Sequence, residues 1–376
     1  MRSLALKSLL FEWRRFAPAV VAVAFSGLLV LLQAGLILGI FSLSSQYVTR
    51  SNADLWMGDP GVQSLDLGRP LNGPAEIFGW MNPHVRKLEP FLWGSGEWRT
   101  RDRGRVNVYI VGVDARPDGL ALAQALTPAQ RAALEEPDAV LVDAADLHKL
   151  QTGPGRTGEI NGRFVRVVGA THGLRALGGV NVIASIATTR RLDPAAGPDG
   201  RVAYLLAALD RPEAAPAVAA SLNAAGAGRG FEALTGPAFA RRTTRYWLVE
   251  SGAGVAFVFG SVVAVLVAGV ITSQTLAAAV AGSVREYAAL RALGFSMRAL
   301  RRIVVAQSAW VGAAGLAVAG LLALAMALAA HAGAIPLVLT PPMIAVSAAL
   351  VMLTALGSGA LALRRVAQAD PAVLLL

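Results

Sequence analysis

Three stretches of this chain contain no Asp, Glu, Lys or Arg: Phe16 to Thr49, Ser251 to Val284, and Ile303 to Leu363. A helical bilayer crossing takes about 20 apolar residues, so each of the first two predicts one span. The third, as a single helix, would be about 90 Å long, roughly three bilayer cores. It must fold back, and His331, Gly333, Pro336 and the Pro341-Pro342 pair mark the break. The pattern therefore predicts four spans, near residues 17–41, 252–281, 303–330 and 343–363. The first run is too long for the apolar part of a signal peptide and has no small-residue cleavage site, so it is read as a retained span. Within it, Gly35 and Gly39 form a small-xxx-small pair, a spacing that suits close helix contact.

Between the first two spans the pattern changes. From Arg50 to about Arg245, Pro, Gly and charged residues are frequent and no apolar run is long enough to cross a membrane. Val106–Val113 reads as a buried strand, and Ala139–Val142 as a second one running into a helix over Asp143–Leu150. Thr127 followed by Pro128 predicts a capped helix start. Glu159 to Val168 reads as a hairpin turning at Asn161-Gly162. Val182–Ile186 and Val202–Leu206 are further strands, and Glu213–Ala225 is a helix begun around Pro212. Strands and helices mix without a regular βαβ period, which predicts an α+β domain. The fold class is then a membrane protein of four transmembrane α-helices with a large α+β extracytoplasmic domain between helices 1 and 2. Its divisions are 1–15, an amphipathic helix on the cytoplasmic face; 16–49, the first span and its extension; and 50–245, the outer domain. After these come 246–284, the second span; 285–302, a charged cytoplasmic segment; 303–363, the third and fourth spans; and 364–376, a cytoplasmic tail.

Charge fixes the orientation of that layout. The net charge of +10 is concentrated outside the central domain. Residues 1–15 carry four basic and one acidic residue, Arg285–Arg302 five and one, and the tail from Arg364 two and one, against 23 and 21 from Arg50 to Glu250. That is a positive-inside signature rather than a nucleic-acid footprint, and it puts both termini and the 285–302 segment in the cytoplasm. Mean hydropathy of +0.54, with 55% hydrophobic and 15% charged residues, agrees with a membrane protein. Cysteine is absent, so the outer domain must hold together by packing alone.

Several chemistries are excluded. No span carries a carboxylate or a Lys or Arg, which argues against ion-coupled transport. A phosphate-cradling loop needs a lysine after glycine, and the three lysines, Lys7, Lys87 and Lys149, none of them follows one. The Gly153–Gly158 stretch lacks the lysine and precedes the hairpin, so it reads as a plain loop. Asp143, Asp146 and His148 have no further ligand nearby in sequence and read as a solvated helix start rather than a metal site. No nucleophile elbow or paired-histidine zinc motif occurs. The sequence supports no catalytic site on this chain.

The remaining candidate is the charged island Arg285–Gly294. As a helix it sets Tyr287, Leu290 and Leu293 on one face, with Gly294 as a stop. Spacing alone leaves two readings open: a docking helix for a cytoplasmic partner, or a charged cap on two spans. The string Arg285-Glu286-Tyr287-Ala288-Ala289-Leu290-Arg291-Ala292-Leu293-Gly294 resembles the signature that the MacB/FtsX superfamily of ABC-transporter permeases carries between its second and third spans. The ending Ala369-Asp370-Pro371-Ala372-Val373-Leu374-Leu375 is similar to the Asp-Pro-x-x-x-Leu ending common there. Tyr246-Trp247, Ser273-Gln274, and Glu286-Tyr287-Ala288-Ala289-Leu290 with Arg291-Ala292-Leu293-Gly294-Phe295 resemble DevC-type permeases most. The layout of nearly the whole chain fits, with motif support confined to the last third.

That resemblance implies a homodimeric permease in the bacterial inner membrane. It implies recruitment of a separate ATPase subunit, which holds the ATP and Mg, through Arg285, Glu286, Tyr287, Ala289, Leu290, Arg291, Leu293 and Gly294. Tyr287, Leu290 and Leu293 would form the buried face, with Arg285, Glu286 and Arg291 at the rim. It further implies mechanotransmission, in which ATP-driven closure moves the outer domains. A membrane-fusion adaptor and an outer-membrane channel would then export an amphiphile. Two sister functions share the architecture: FtsX-like control of a periplasmic partner, and lipoprotein release.

Overall fold

The computed structural model describes residues 13–71, 74–282, 293–332 and 335–367. The chain divides into two compact units, residues 40–255 and the combination of residues 1–39 with 256–376. Helix α1 (Trp13–Thr49) carries the first apolar run. Its last turn already belongs to the inter-span unit, where Tyr47 and Val48 are buried and the Tyr47 hydroxyl donates to Asn181 Oδ1 at 2.7 Å.

The inter-span unit continues with β1 (Leu55–Gly58), α2 (Ala75–Met81), β2 (Val85–Arg99), β3 (Arg105–Val113), α3 (Pro128–Leu134), β4 (Ala139–Asp143) and β5 (Thr157–Ile160). Then come β6 (Arg163–Thr171), β7 (Val180–Ser185), α4 (Ile186–Leu192), β8 (Tyr204–Leu209), α5 (Ala215–Ala225), β9 (Glu232–Thr235) and α6 (Gly236–Arg245). Four strands pair antiparallel in the order β9-β1-β8-β2. With β1-α2-β2 and β8-α5-β9 as its halves, this is the split βαβ arrangement of ferredoxin-like folds. The other strands are inserted between its halves and close on themselves: β2-β3-β7-β4-β6-β5 and back to β2. Strand β2 is 15 residues long because it serves both parts; Val85–Phe91 pair with β8 and Leu92–Arg99 with β3.

Alternation of side chains gives each part its core. Leu55 and Met57 point toward α2 and α5 and pack with Leu88, Leu205, Ala207, Val218 and Leu222. Trp56, between them, faces the opposite way, with Phe91 at 5.4 Å and Tyr204 and Phe239 each at 5.8 Å between ring centroids. The closed ring is filled by Trp98, Val108, Ile110, Val140, Val142, Ile160, Val165 and Val182. No disulfide is needed because these apolar interiors, at about 25 cal/mol per Å² buried, supply the stabilisation.

Thr127 caps α3 in a reciprocal box with Gln130, and the hairpin turns at Asn161 and Gly162, with φ of 50° and 78°. Three local expectations are corrected. Asp143–Leu150 is not a helix beyond one 3₁₀ turn at Ala144–Asp146, because the Asp143 carboxylate caps Ala145 and also takes the Leu174 N–H at 2.8 Å. Strand β7 starts at Val180 and stops before Ile186, where Ser185 caps α4 through the Thr188 N–H at 3.2 Å. Strand β8 begins at Tyr204, two residues later than read.

One buried carboxylate ties the two parts together. Glu89 in β2 is fully buried and accepts from the Leu120 and Ala121 amides, with Lys87 Nζ at 3.7 Å. The buried Arg131 guanidinium donates to the Asp114 carbonyl at 2.7 Å and to the Ala121 carbonyl, so the 114–121 loop is held from both sides. Burial raises the Glu89 carboxyl above its ordinary 4.5, the amide donors and Lys87 only partly offsetting it. The folded chain therefore holds this proton to higher pH than the unfolded chain. The site's stabilisation is fully present below about 4.5 and declines as pH rises through the folded value. Glu89→Gln does not titrate. The melting midpoint of the wild type is expected to fall relative to Glu89→Gln as pH rises above 4.5; a wild type that gains on the variant would reverse the assignment.

The other unit contains the start of α1 with α7 (Gly252–Gly282), α8 (Met297–Ala332) and α9 (Pro341–Ala367). These four helices are long and apolar enough to cross a membrane. Phe16, Val23, Ala268, Leu276, Val311 and Ala355 pack at their centre. Polar contacts between the middle parts of α1 and α7 are neutral: Ser26 Oγ donates to the Ala268 carbonyl at 3.1 Å, Thr272 Oγ1 to Ser26 Oγ at 3.0 Å, and Gln33 Nε2 to Ser261 Oγ at 3.0 Å. His331 is exposed at the end of α8. Gly35 and Gly39 do make a close contact, though not with a helix. Their neighbour is the connection Ile335–Leu339, in which Pro336 disfavours helix, and the Val338 N–H donates to the Gly35 carbonyl at 3.1 Å.

Candidate functional site

Arg285, Glu286, Tyr287, Ala289, Leu290 and Arg291 lie outside the described residues, whose account resumes at Leu293. Leu293 is 77% exposed, and Gly294 has φ of +90°, the left-handed backbone that favours glycine. Ser296 then caps α8, receiving the Ala299 N–H on Oγ at 3.3 Å.

Arg15, near the start of α1, donates to the carbonyl of Gly282, the last described residue of α7. The start of α1, the end of α7 and the start of α8 thus share one end of the span unit. Arg14, Arg15, Arg298, Arg301 and Arg302 gather there. Sequence reasoning missed the Arg15 contact and the Ser296 cap; Ser296, lying between Gly294 and the apolar run, was the available signal.

The domain-side junction is built differently. The chain leaves α6 through one π-helical turn, Tyr246–Glu250, and then breaks at Ser251, whose ψ is 141°. Trp247 Nε1 donates to Ser64 Oγ and Asp66 Oδ1, each at 3.1 Å, pinning the turn to the Leu65–Leu67 3₁₀ turn. Tyr246-Trp247 was legible only as a motif; its anchoring role needed the fold. Arg242 clamps β9 to α6, with Nη1 and Nη2 at 2.8 and 2.7 Å from the Glu232 carboxylate, which holds that carboxyl below its ordinary range.

Among the described residues no group of His, Asp or Glu is arranged to hold a metal ion. Asp143 and Asp146 are buried in structural contacts, Asp146 beside Arg175, while His148 is exposed. The Gly153–Gly158 stretch is a turn leading into β5.

Residues 258–371 match the FtsX-like permease C-terminal family. The last third of this chain is thus similar to the C-terminal segment of FtsX-like permeases. The match takes in the charged island and the last three spans and does not reach the inter-span domain. No curated protein matches the chain in sequence. Two solved structures are similar to part of it. The periplasmic region of MacB from Actinobacillus actinomycetemcomitans has 13% identity and a TM-score of 0.35, covering 50% of this chain and 92% of that one. The extracellular domain of the noncanonic ABC-type transporter YknZ from Gram-positive bacteria has 12% identity and a TM-score of 0.33, covering 49% and 100%.

Proposed function

We propose that this chain is the permease subunit of an ABC-type efflux system of the mechanotransmission type. The observation that carries the reading is the FtsX-like segment at 258–371, which encloses the Arg285–Gly294 island between the second and third spans. The chain has no phosphate-binding lysine loop of its own, so ATP and Mg belong to a separate ATPase subunit docked on that island. Tyr287, Leu290 and Leu293 form the docking face in this reading, and Arg285, Glu286 and Arg291 its rim.

Two permeases pair as a homodimer in the inner membrane with both termini in the cytoplasm. The inter-span domain lies in the periplasm, and its motion passes an amphiphilic substrate through a membrane-fusion adaptor to an outer-membrane channel. The island's similarity to DevC-type permeases favours efflux over the sister functions. The test is purification of the full chain in mild detergent with nucleotide trapped, and identification of what co-elutes. An ATPase with an adaptor supports efflux. An ATPase with a cell-wall hydrolase or a lipoprotein instead replaces efflux by control or release, and recovery of no ATPase rejects the permease assignment.

A further inference from the structure

The first four turns of α8 carry a feature that the permease reading does not use. Leu300, Val304, Gln307, Ser308 and Val311 are buried on one face of this helix. On the opposite face Arg298, Arg301, Arg302, Ala306, Ala309 and Trp310 line an open groove of about 1100 Å³. Their spacing, three, four and then eight residues apart, keeps them on one stripe of a helix. The stripe is graded in polarity. Three guanidiniums stand at its start, two alanines follow, and the Trp310 indole, 43% exposed, lies about 12 Å beyond Arg302 along the axis.

Among the described residues the arginines have no counter-charge. None of the three forms an ion pair or side-chain hydrogen bond among the described residues, and the sequence has no Asp or Glu between Glu286 and Asp370. The groove leaves them open to an anion from outside this segment. Guanidinium is suited to phosphate because its planar fork binds two oxygens at once. The N-terminus of α8 points its positive end the same way. A phosphate at the arginines places glycerol and the first acyl carbons beside Ala306 and Ala309, where small side chains leave room. The chains then run over Trp310, an indole of the kind enriched at membrane interfaces. A second copy of this chain is disfavoured on the same face, since two copies meeting there would oppose six unpaired cations.

We propose that this stripe binds an anionic phospholipid, with Arg298, Arg301 and Arg302 on the headgroup phosphate and Trp310 against the proximal acyl chain. Basic pockets among membrane helices hold acidic headgroups by the same chemistry.

The test is native mass spectrometry of the full chain released from detergent, titrated with phosphatidylglycerol or with phosphatidylcholine of the same chains. The wild type is expected to retain phosphatidylglycerol at least tenfold better than phosphatidylcholine, and 10-fold excess inorganic phosphate is expected not to displace it. The triple variant R298Q/R301Q/R302Q is expected to lose that preference. Trp310→Ala is expected to weaken both lipids equally and keep the preference. If the triple variant does not fold, Arg301→Gln alone is read, with a partial loss expected. Equal retention of the two lipids by the wild type overturns the proposal, as does full preference in the arginine variants or displacement by free phosphate. A triple variant changed only in dimer mass or in recovery of an ATPase subunit also overturns it, by giving the face to a protein. The lipid readouts do not need the ATPase, so the site and the permease assignment stand or fall separately.

Discussion

Leu290→Asp is expected to abolish recovery of an ATPase subunit with the detergent-solubilised chain, while the chain itself stays inserted and melts as before. Tyr287, Leu290 and Leu293 fall at i, i+3 and i+6, so a helix puts them on one face with Leu290 at the centre. An unpaired carboxylate in an apolar contact costs several kcal/mol. A loss of about 4 kcal/mol lowers affinity about a thousandfold, which no co-purification survives. The neighbouring Leu293 is 77% exposed, so that part of the face has little intramolecular burial to lose. Unchanged melting is therefore expected, and it separates lost docking from lost folding. Arg291→Gln is the control: a rim charge is worth about 0.5 kcal/mol, and its removal leaves co-elution in place. Full recovery of the ATPase subunit with Leu290→Asp would mean that the apolar stripe is not the contact face.

What was legible in the sequence follows from how local each signal is. The spans were legible because a charge inside a bilayer is costly enough to keep runs of 34 and 61 residues free of Asp, Glu, Lys and Arg. Elements set by a cap or a two-residue turn, such as α3 at Thr127 and the hairpin at Asn161-Gly162, were legible too. Strand β2 was not. It carries Arg86, Lys87, Glu89, Pro90, Gly94 and Gly96, which read as loop residues, and only the amides of Leu120 and Ala121, more than 30 positions away, make a buried Glu89 tolerable. The closed ring likewise depends on pairings such as β4 with β7 and β3 with β7, which are far apart in sequence. Asp143 misled for the same reason: a residue that starts helices in isolation was engaged by Leu174 instead. The island was legible as a motif. The arginines after it were legible as charge alone, because their alignment with Trp310 appears only once α8 has a phase.

Gly39→Ala is expected to destabilise the span unit strongly, whereas Gly35→Ala, one helical turn away, is expected to be close to neutral. In a helix interior alanine is favoured over glycine by about 1 kcal/mol, so both substitutions start with a gain. At Gly35 the new methyl meets the ends of Leu337 and Leu339, with Leu337 Cδ1 at 2.8 Å and Leu339 Cδ2 at 2.9 Å, and the Val338 carbonyl at 3.2 Å. Leucine ends rotate aside at small cost, which the propensity gain offsets. At Gly39 the methyl runs into the Pro336 carbonyl group itself, and main chain cannot rotate away. The Ile335–Leu339 connection must move outward, breaking the bond from the Val338 N–H to the Gly35 carbonyl. Overpacking of this kind costs about 3 kcal/mol, and loss of the hydrogen bond adds about 1. Apparent melting midpoints of the two variants in one detergent measure the difference, with proteolysis near residue 336 reporting release of the connection. Equal midpoints would place the connection farther from α1 than described. A low midpoint for both would mean that the leucines are as fixed as the main chain beside them.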